Sequence, residues 1–405
     1  MRRSRPLLLR NGHLLDVTAG EYTDGDVLAV DGRIAEAGPR LAAPEDAEVR
    51  DLNGAFVLPG LIDAHVHVTA FTADLGSLAS TSPYYVAAHA ARIMGEMLDR
   101  GFTTVRDVAG ADYGLAAAQA EGTIRGPRLY FGGRGLSQTG GHGDGRGPGA
   151  YQHDDHHGEC RIADGVDAIR AAARDELRKG AYHIKVMASG GVASPTDRID
   201  SIQYSMAELR AVVEEASAAN RYVAAHAYTA RAVNRAVEAG IRSIEHGNLI
   251  DDSSVSLLVA RDAFLVPTLV TYWALKKEGR TFGLSEGSWR KVDEVLDAGL
   301  SALERAHRGG VRLAYGTDLL GGMHRHQNAE FRIRSSVQRP VDVIRSATCV
   351  AASLLGADGS LGTLAVGADC DLVVLDGDPL EDIGVLADPV THMPLVVQGG
   401  VIVRG

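Results

Sequence analysis

The segment Pro59-Gly60-Leu61-Ile62-Asp63-Ala64-His65-Val66-His67 places two histidines at the end of a short apolar strand, directly after a Pro-Gly turn. Side chains two residues apart lie on the same face of a strand, so both imidazoles can bind one metal ion. The turn also lies where a β-rich segment gives way to a different pattern. This stretch therefore predicts both a domain junction and a metal site.

Downstream of this junction, apolar strand-like segments alternate with Ala-rich helical segments, a pattern typical of a parallel sheet with helices outside it. No Gly-x-Gly-x-x-Gly motif follows the first strand, which favours a closed (β/α)8 TIM barrel over an open doubly wound sheet. We expect the barrel to occupy residues 59–359. Its eight strands would be residues 61–64, 103–108, 128–131, 183–187, 222–227, 243–245, 264–267 and 312–315.

Both ends of the chain are rich in short apolar runs separated by turn residues. Residues 6–58 show this pattern at the start, and residues 371–377 and 395–403 repeat it near the end. Such runs are typical of β-strands joined by tight turns. The sequence thus predicts an α/β protein in which residues 1–58 and 360–405 form a small composite β-sandwich.

The composition argues against nucleic-acid and membrane partners. The chain has 405 residues and a formal net charge of −11. It offers no basic surface to nucleic acid or anionic lipid, and its early apolar run ends at Leu9, too short for a secretory segment. Cys160, Cys349 and Cys370 lack paired spacing, so neither disulfides nor a cysteine zinc site is predicted. We expect a cytoplasmic homo-oligomer that acts on a small molecule.

Lys185 interrupts the apolar segment His183-Ile184-Lys185-Val186-Met187. Burial in such a strand depresses the pKa of a lysine toward the neutral amine, and a neutral amine can react with CO2. The resulting carbamate is an anionic ligand with two oxygens that can bridge two divalent ions. The alternative is a lysine whose ammonium reaches solvent along its flexible stem.

Two further strand-like segments end in histidine, at His226 and His246. In a parallel barrel the same ends of successive strands face one side, so both rings are expected at one mouth, although either histidine alone could be structural. Asp318 ends a later segment. There it could bind a metal ion and accept a proton from bound water, or it could cap a helix N-terminus.

The ordered set of HxH, lysine, histidine, histidine and aspartate resembles the amidohydrolase superfamily, specifically its two-metal branch with a carboxylated lysine. The resemblance runs from PGLIDAHVH to the tail segment DLVVLDGDP. It implies two divalent ions, with zinc favoured by the imidazole-rich ligands, and a CO2-derived carbamate on Lys185. The first ion would be held by His65, His67, Lys185 and Asp318, and the second by Lys185, His226 and His246.

The activity that this resemblance implies is hydrolysis of an amide or peptide bond in a small carboxylate-bearing substrate. Xaa-Pro dipeptides, N-acyl amino acids and amide-linked mycotoxins are the candidate substrates. A metal-bridging hydroxide would attack the carbonyl, and Asp318 would take up the proton and return it to the leaving nitrogen.

Two loop or strand-end residues are candidates for substrate contact. His142 lies in the Gly-rich segment 132–149, which we expect to be a loop and a possible lid, and it could donate a hydrogen bond to the oxyanion or have no role. Tyr228 follows His226 by two residues and shares its face. The motifs around these residues resemble the branch of Xaa-Pro dipeptidases, metallo-carboxypeptidases and mycotoxin amidases, in which this tyrosine helps to hold the substrate carboxylate.

Positive charge near that carboxylate could come from the loop after Asp318. His324, Arg325 and His326 lie there, and the alternative is that they form a solvated polar loop. The substrate contacts predicted from the sequence are therefore His142, Tyr228, His324 and Arg325.

Rival functions are less well matched by the same residues. An imidazolonepropionase-like cyclic amide hydrolase or a deaminase would typically use one metal without the strand lysine, and deaminases usually show His-x-x-Glu where this chain has Thr229 after His226. A non-enzymatic scaffold relative would be expected to have lost metal ligands. All six ligand positions are occupied here.

Overall fold

The chain folds into a mixed α/β structure, and the computed structural model describes residues 5–147, 149 and 158–405. The strands are β1 (Leu7–Asp16), β2 (Glu21–Val30), β3 (Arg33–Gly38), β4 (Glu48–Asp51), β5 (Phe56–Pro59), β6 (Leu61–Val66), β7 (Phe102–Asp107), β8 (Arg128–Phe131), β9 (Gly135–Ser137), β10 (Cys160–Ile162), β11 (His183–Met187), β12 (Tyr222–Thr229), β13 (Ser243–Leu249), β14 (Phe264–Val266), β15 (Arg312–Leu313), β16 (Leu372–Leu375), β17 (Leu395–Gln398) and β18 (Val401–Arg404).

The helices lie mainly between the strands of the central part of the chain. They are α1 (Pro83–Asp99), α2 (Tyr113–Ala120), α3 (Val166–Arg178), α4 (Met206–Ala218), α5 (Ala230–Glu238), α6 (Asp252–Ala260), α7 (Leu269–Glu278), α8 (Glu286–Arg308), α9 (Ala329–Arg334), α10 (Pro340–Ser346), α11 (Cys349–Leu355), α12 (Gly384–Ala387) and α13 (Pro389–His392). Short 3-10 helices span Leu75–Ser80, Gly279–Phe282 and Gly321–His326.

Strands from both ends of the chain form one eight-stranded sheet. Its order is β18-β17-β16-β5-β1-β2-β3, with β4 paired to β1. The β2–β3 turn has positive φ at both Asp31 (50°) and Gly32 (81°), the Asp-Gly geometry that matches the twist of a tight hairpin. The C-terminal strands join through β16, which pairs antiparallel with β5 at Val57↔Val374. The two chain ends thus meet in one sheet, while the sandwich with boundaries 1–58 and 360–405 stays a prediction.

The central strands are parallel. They form a three-stranded sheet, β6-β7-β8, and a seven-stranded sheet, β10-β9-β11-β12-β13-β14-β15. Because neighbouring strands are parallel, their carboxyl ends lie on the same side. In the register, Met187 on β11 is opposite His226 on β12, and His226 is opposite Glu245 on β13. The ends of β11, β12 and β13 are therefore brought side by side.

Helices connect these parallel strands, as the direction of the chain requires. Helix α4 begins with a capping box in which Ser205 and Glu208 satisfy each other's backbone N–H groups. Helix α5 begins after Thr229, whose hydroxyl accepts from the backbone N–H of Ala232. Such capping explains why the helices begin at Met206 and Ala230.

Backbone hydrogen bonds link the two parallel sheets to each other. The N–H of Ala64 on β6 donates to the carbonyl of Tyr315, just after β15, at 2.8 Å. The N–H of Tyr182, just before β11, donates to the carbonyl of Phe131 on β8 at 2.9 Å. Strand β6, the first of the parallel strands, thus lies next to β15, the last, and β8 lies next to β11.

The segment 132–149 is more ordered than the loop predicted from its glycines, and its residue 148 lies outside the described residues. Strand β9 (Gly135–Ser137) lies within it and pairs in parallel with both β10 and β11. Leu136 is buried in the main apolar core, so strand pairing and core packing outweigh the glycine content here. Within the described part of the chain, no helix combines the length and apolar character needed to span a membrane.

Candidate active site

A cavity of about 560 Å³ opens at the carboxyl ends of the parallel strands. Its apolar wall includes Leu75, Val192, Leu275, Leu284 and Leu320. The residues predicted from the sequence as metal ligands all line it, together with two of the predicted substrate contacts. These are His65, His67, His142, Lys185, His226, Tyr228, His246 and Asp318.

The two histidines at the end of β6 each make a hydrogen bond through Nδ1. Nδ1 of His65 lies 2.7 Å from a carboxylate oxygen of Glu245, and Nδ1 of His67 lies 2.8 Å from the carbonyl oxygen of Ala109. Both partners accept, so both Nδ1 atoms carry a proton. In the neutral rings the Nε2 atoms then hold lone pairs, the form in which imidazole binds a metal.

The histidines on β12 and β13 are held in a related way. Nε2 of His226 lies 3.0 Å from the carbonyl oxygen of Gly190, which leaves Nδ1 with the lone pair. Nδ1 of His246 lies 2.8 Å from the hydroxyl of Thr268. Burial lowers the pKa of both histidines well below the usual value, so both rings are neutral and able to act as ligands.

Asp318 brings a carboxylate against these histidine lone pairs. Its Oδ1 lies 3.3 Å from Nε2 of His65 and 3.2 Å from Nε2 of His67. Nε2 of His65 is buried and makes no hydrogen bond among the described residues. Lone pairs that face one another in this way repel unless a proton or a metal cation lies between them. Ligand atoms of His65, His246 and Asp318 lie within 4.8 Å of one another. These three residues form a candidate metal site, and their nitrogen and oxygen donors suit a divalent ion.

The excess of negative charge around His67 supports the same conclusion. Burial lowers the pKa of His67, but the carboxylates of Glu159 and Asp318 outweigh burial and raise it to about 10. A site that stabilises a positive charge this strongly favours a divalent ion when one is available.

Lys185 lies on β11 with its side chain in the cavity and only 2% exposed. Burial lowers its pKa. Among the described residues, none forms a hydrogen bond or an ion pair with its amine. The side chain is therefore available for the reaction with CO2 that the sequence predicted, and the carbamate stays a prediction.

A buried ion pair behind His65 was not identified from the sequence. The Arg106 guanidinium donates to both carboxylate oxygens of Glu245, at 2.8 and 2.9 Å, and Ser243 donates to the same carboxylate at 2.6 Å. Arg106 and Glu245 are both fully buried. Burial acts to raise the pKa of Glu245, but Arg106 and His65 hold it well below the usual range. An ionised Glu245 can orient His65 for metal binding.

A sequence signal for this pair exists. Arg106 lies in the apolar strand β7 and Glu245 in the apolar strand β13, and a charged residue in a buried strand requires a partner.

Three residues around the cavity have strained backbone conformations. His246, Thr268 and Asp318 have φ values of 78°, 48° and 53°, in the left-handed region that residues other than glycine rarely adopt. Strain of this kind persists where the surrounding structure holds a side chain in a functional position. At His246 it also interrupts the alternation of β13, so that His246 lines the cavity while the adjacent Glu245 bonds to His65.

His142 stacks on His226, with ring centroids 4.1 Å apart, and Nδ1 of His142 lies 2.9 Å from the hydroxyl of Ser194. Ser194 in turn donates to the buried carboxylate of Asp197, so Ser194 accepts from Nδ1 of His142. Burial lowers the pKa of His142 to about 4. A neutral ring in this tautomer accepts rather than donates at Nε2. The oxyanion role of His142 stays a prediction.

Tyr228 projects into the cavity beside His226 and His246 and is only 2% exposed. Its hydroxyl accepts a hydrogen bond of 3.1 Å from Tyr272 on α7. Tyr272 also lines the cavity and was not identified from the sequence, because helix α7 gives no signal of which face meets the site.

The structure does not bring the loop after Asp318 to the cavity as predicted. Among the described residues that line the cavity, neither His324 nor Arg325 appears. His324 is buried with Nε2 3.1 Å from the carbonyl of Ala70, and Arg325 is exposed and paired with Glu278. The 3-10 helix Gly321–His326 turns these side chains away from the substrate space, which corrects the prediction of substrate contacts there.

The fold and the site together define a mixed α/β protein with a candidate histidine-aspartate metal site at the carboxyl ends of its parallel strands. Comparison with known proteins identifies the family to which the chain belongs. Residues 56–402 match the model of the amidohydrolase family, and the chain belongs to this family. Its members generally bind divalent metal ions.

Three related proteins show where within the family the chain lies. It is 36% identical to ochratoxinase from Aspergillus niger over 368 residues, which cover 86% of this chain and 76% of that protein. It is 47% identical to a prolidase crystallised with N-methylphosphonate-L-proline, with a TM-score of 0.97 and coverage of 98% of this chain and 99% of that one. A Xaa-Pro dipeptidase with bound methionine gives 27% identity and a TM-score of 0.88, covering 99% of this chain and 100% of that one.

These similarities confirm the superfamily resemblance drawn from the sequence. The protein is an enzyme that hydrolyses C–N bonds, and its relatives support an amide or peptide bond as the target.

Proposed function

We propose that the protein hydrolyses the amide bond of a small substrate that carries a free carboxylate, such as an Xaa-Pro dipeptide, an N-acyl amino acid or an amide-linked mycotoxin. The observation that carries this proposal is the placement of Tyr228 in the same cavity as the six candidate metal ligands. A prolidase and an ochratoxinase among the relatives support the substrate class.

Two divalent ions, with zinc favoured, fit the donor set of this cavity. His65, His67 and Asp318 would hold the first ion and His226 and His246 the second, with a carbamate on Lys185 shared by both. When bound, such ions lower the pKa of water and polarise a carbonyl group.

The proton transfers then fall to Asp318. Interactions with His65 and His67 hold its pKa well below the usual value in spite of burial, so the carboxylate is ionised and able to accept a proton at neutral pH. Delivery of that proton to the leaving nitrogen completes the cleavage.

The carboxylate end of the substrate would contact Tyr228. Its hydroxyl is an uncharged donor, and burial raises its pKa far above neutrality, so it stays protonated. The apolar wall around Leu75, Val192 and Leu284 would face the rest of the substrate.

We also propose that the two parallel sheets close into the (β/α)8 barrel. The backbone hydrogen bonds from Ala64 to Tyr315 and from Tyr182 to Phe131 support closure. Such a barrel would bring β6 next to the end of the last strand, where Asp318 meets His65.

The test compares kcat/KM for matched acid and amidated substrates, drawn from dipeptides and N-acyl amino acids, on protein with a measured metal content. We expect about two ions per chain and a preference for the acid. Tyr228→Phe should reduce that preference by about 10- to 150-fold, the value of one charge-assisted hydrogen bond of roughly 1.5 to 3 kcal/mol.

The matched control is Tyr84→Phe, because Tyr84 is 87% exposed. This variant should leave the preference unchanged. A wild type that prefers the neutral substrate would show that carboxylate recognition is wrong.

A further inference from the structure

Asp197 is a buried carboxylate beside the cavity that no step of the proposed reaction uses. It is 8% exposed and ends the segment 191–197, whose middle residues line the cavity. Its carboxylate accepts from the backbone N–H of Gly191 at 3.1 Å, from the side-chain amide of Gln203 at 2.9 Å and from the hydroxyl of Ser194. A carboxylate buried to this extent requires a positive charge beside it.

Lys291 on α8 supplies that charge. Its Nζ lies 3.5 Å from Oδ1 of Asp197. The same ammonium group donates to the carbonyl oxygens of Gly191, Ser194 and Asp197, at 3.1, 2.9 and 2.7 Å. An ammonium group has three N–H donors, so each of them can have a carbonyl acceptor. One side chain of α8 therefore fixes the conformation of the segment 191–197 and balances the charge of Asp197.

Asp197 also determines the direction of the Ser194 hydroxyl. Among the described residues, this hydroxyl has two hydrogen-bond partners besides His142: the carboxylate of Asp197 and the carbonyl oxygen of Gly191, which lies 3.2 Å away. A carboxylate and a carbonyl only accept, so the single hydroxyl proton is donated to one of them. Ser194 can then only accept from Nδ1 of His142, at 2.9 Å.

The rest of His142 is held by the same group of residues. Its backbone N–H donates to Oε1 of Gln203 at 2.9 Å, and the amide NH2 of Gln203 is bonded to Asp197. The ring stacks on His226 with centroids 4.1 Å apart. The backbone of Gly191 lies so close to the ring that a Cβ at this position would overlap it. Both the backbone and the ring of His142 thus depend on contacts arranged around Asp197.

We propose that Asp197 and Lys291 are positioning residues for His142. Asp197 acts through Ser194 and Gln203, and Lys291 acts through Asp197 and the carbonyls of the segment 191–197. This inference rests on the proposed function, with His142 in contact with the bound substrate as the sequence predicts. Neither Asp197 nor Lys291 contacts the reacting atoms.

The first variant is Asp197→Asn, which keeps the shape of the side chain but places an NH2 group among N–H and O–H donors. We expect kcat/KM to fall by about 2- to 10-fold, the value of one uncharged hydrogen bond. The preference for the acid over the amidated substrate, which is assigned to Tyr228, should stay within about twofold of the wild type, and the metal content should be unchanged. General damage to the cavity would change these properties as well.

The decisive measurement repeats the substitution in a His142→Ala background. His142→Ala itself should lower kcat/KM by about 10- to 150-fold, the value of one charge-assisted hydrogen bond. In this background Asp197→Asn should change kcat/KM by less than about twofold, because residues that act through one side chain are not additive. Ser194→Ala and Lys291→Met should show the same loss of effect, and Ser194→Ala leaves the ion pair of Asp197 and Lys291 in place.

The matched control is Asp200→Asn in the same part of the chain. The side chain of Asp200 is 61% exposed and pairs with Arg198, so this variant should leave kcat/KM within about twofold of the wild type.

The outcomes separate this inference from the function on which it rests. Equal effects of Asp197→Asn with and without His142 would show a general structural role and overturn the inference. If His142→Ala changes kcat/KM by less than about twofold, the inference fails and the proposed function stands, because that function depends on Tyr228. If the wild type prefers the amidated substrate, carboxylate recognition fails, and the same comparison of backgrounds on that substrate still decides the role of Asp197.

Discussion

Replacing Glu245 by glutamine tests whether the buried pair with Arg106 supports the metal site. Glu245 accepts two bonds from Arg106, at 2.8 and 2.9 Å, and one from His65, at 2.7 Å. Glutamine keeps the shape of the side chain, but its NH2 group would face the N–H donors of Arg106 or His65. The substitution also leaves the Arg106 guanidinium without a negative charge beside it. Removing one partner of a buried ion pair typically destabilises a protein by about 3 to 5 kcal/mol.

This free energy converts into a shift of the melting temperature. Unfolding entropy is roughly 2.1 cal/mol/K per residue, which for 405 residues gives about 0.85 kcal/mol/K if the chain unfolds as one unit. The expected decrease of Tm is therefore about 4 to 6 °C, measured on metal-free protein by calorimetry. Metal affinity, measured by chelator competition, should fall by about 10- to 100-fold because His65 loses its ionised partner.

The pH dependence has a definite sign. The pKa of Glu245 in the folded protein is held well below its usual value, so its stabilising effect is present above the unfolded pKa of about 4.3 and is lost as pH falls through the folded value. The Tm difference between Glu245→Gln and the wild type should thus have its maximum value at pH 7 to 8. It should become smaller only below the unfolded pKa of about 4.3.

The matched control is Glu36→Gln, at an exposed position on β3, which should change Tm by less than about 1 °C. A Glu245→Gln protein with Tm within 1 °C of the wild type and unchanged metal affinity would refute the reasoning.

The remaining predictions concern the ligands themselves. Lys185→Ala should lose metal and activity together, as measured by metal analysis and turnover, and short carboxylates in solution should partly restore both; full activity would exclude the carbamate. Asp318→Asn should keep an oxygen for the metal but cannot accept a proton at neutral pH, so kcat should fall by about 10²- to 10⁴-fold. A fall below tenfold with metal retained would remove Asp318 from proton transfer.

Much of the fold could be predicted because its signals are local. The strands β8 and β11 begin and end where the apolar runs 128–131 and 183–187 do, since a buried parallel strand must be apolar along its length. The segment 132–149 departs from the predicted loop only at residues 135–137, because β9 is stabilised by pairing with β10 and β11, which its glycines do not signal.

The sequence by itself determined which polar residues lie on the parallel strands or follow them: histidines at 65, 67, 226 and 246, a lysine at 185 and an aspartate at 318. These positions follow from strand periodicity, which is a short-range property. Their arrangement around one cavity follows from the parallel direction of the strands.

Only the tertiary structure decided which residues form hydrogen bonds with the candidate ligands and the cavity residues. Arg106 meets Glu245 across 139 residues of chain, and Tyr272 meets Tyr228 across 44. Neither contact follows from a periodic pattern, because each depends on strand register and helix placement. The same holds for Arg325, which a 3-10 turn directs to Glu278 instead of the substrate. Side-chain direction in an irregular segment is decided by the packing around it, and no local sequence pattern encodes that packing.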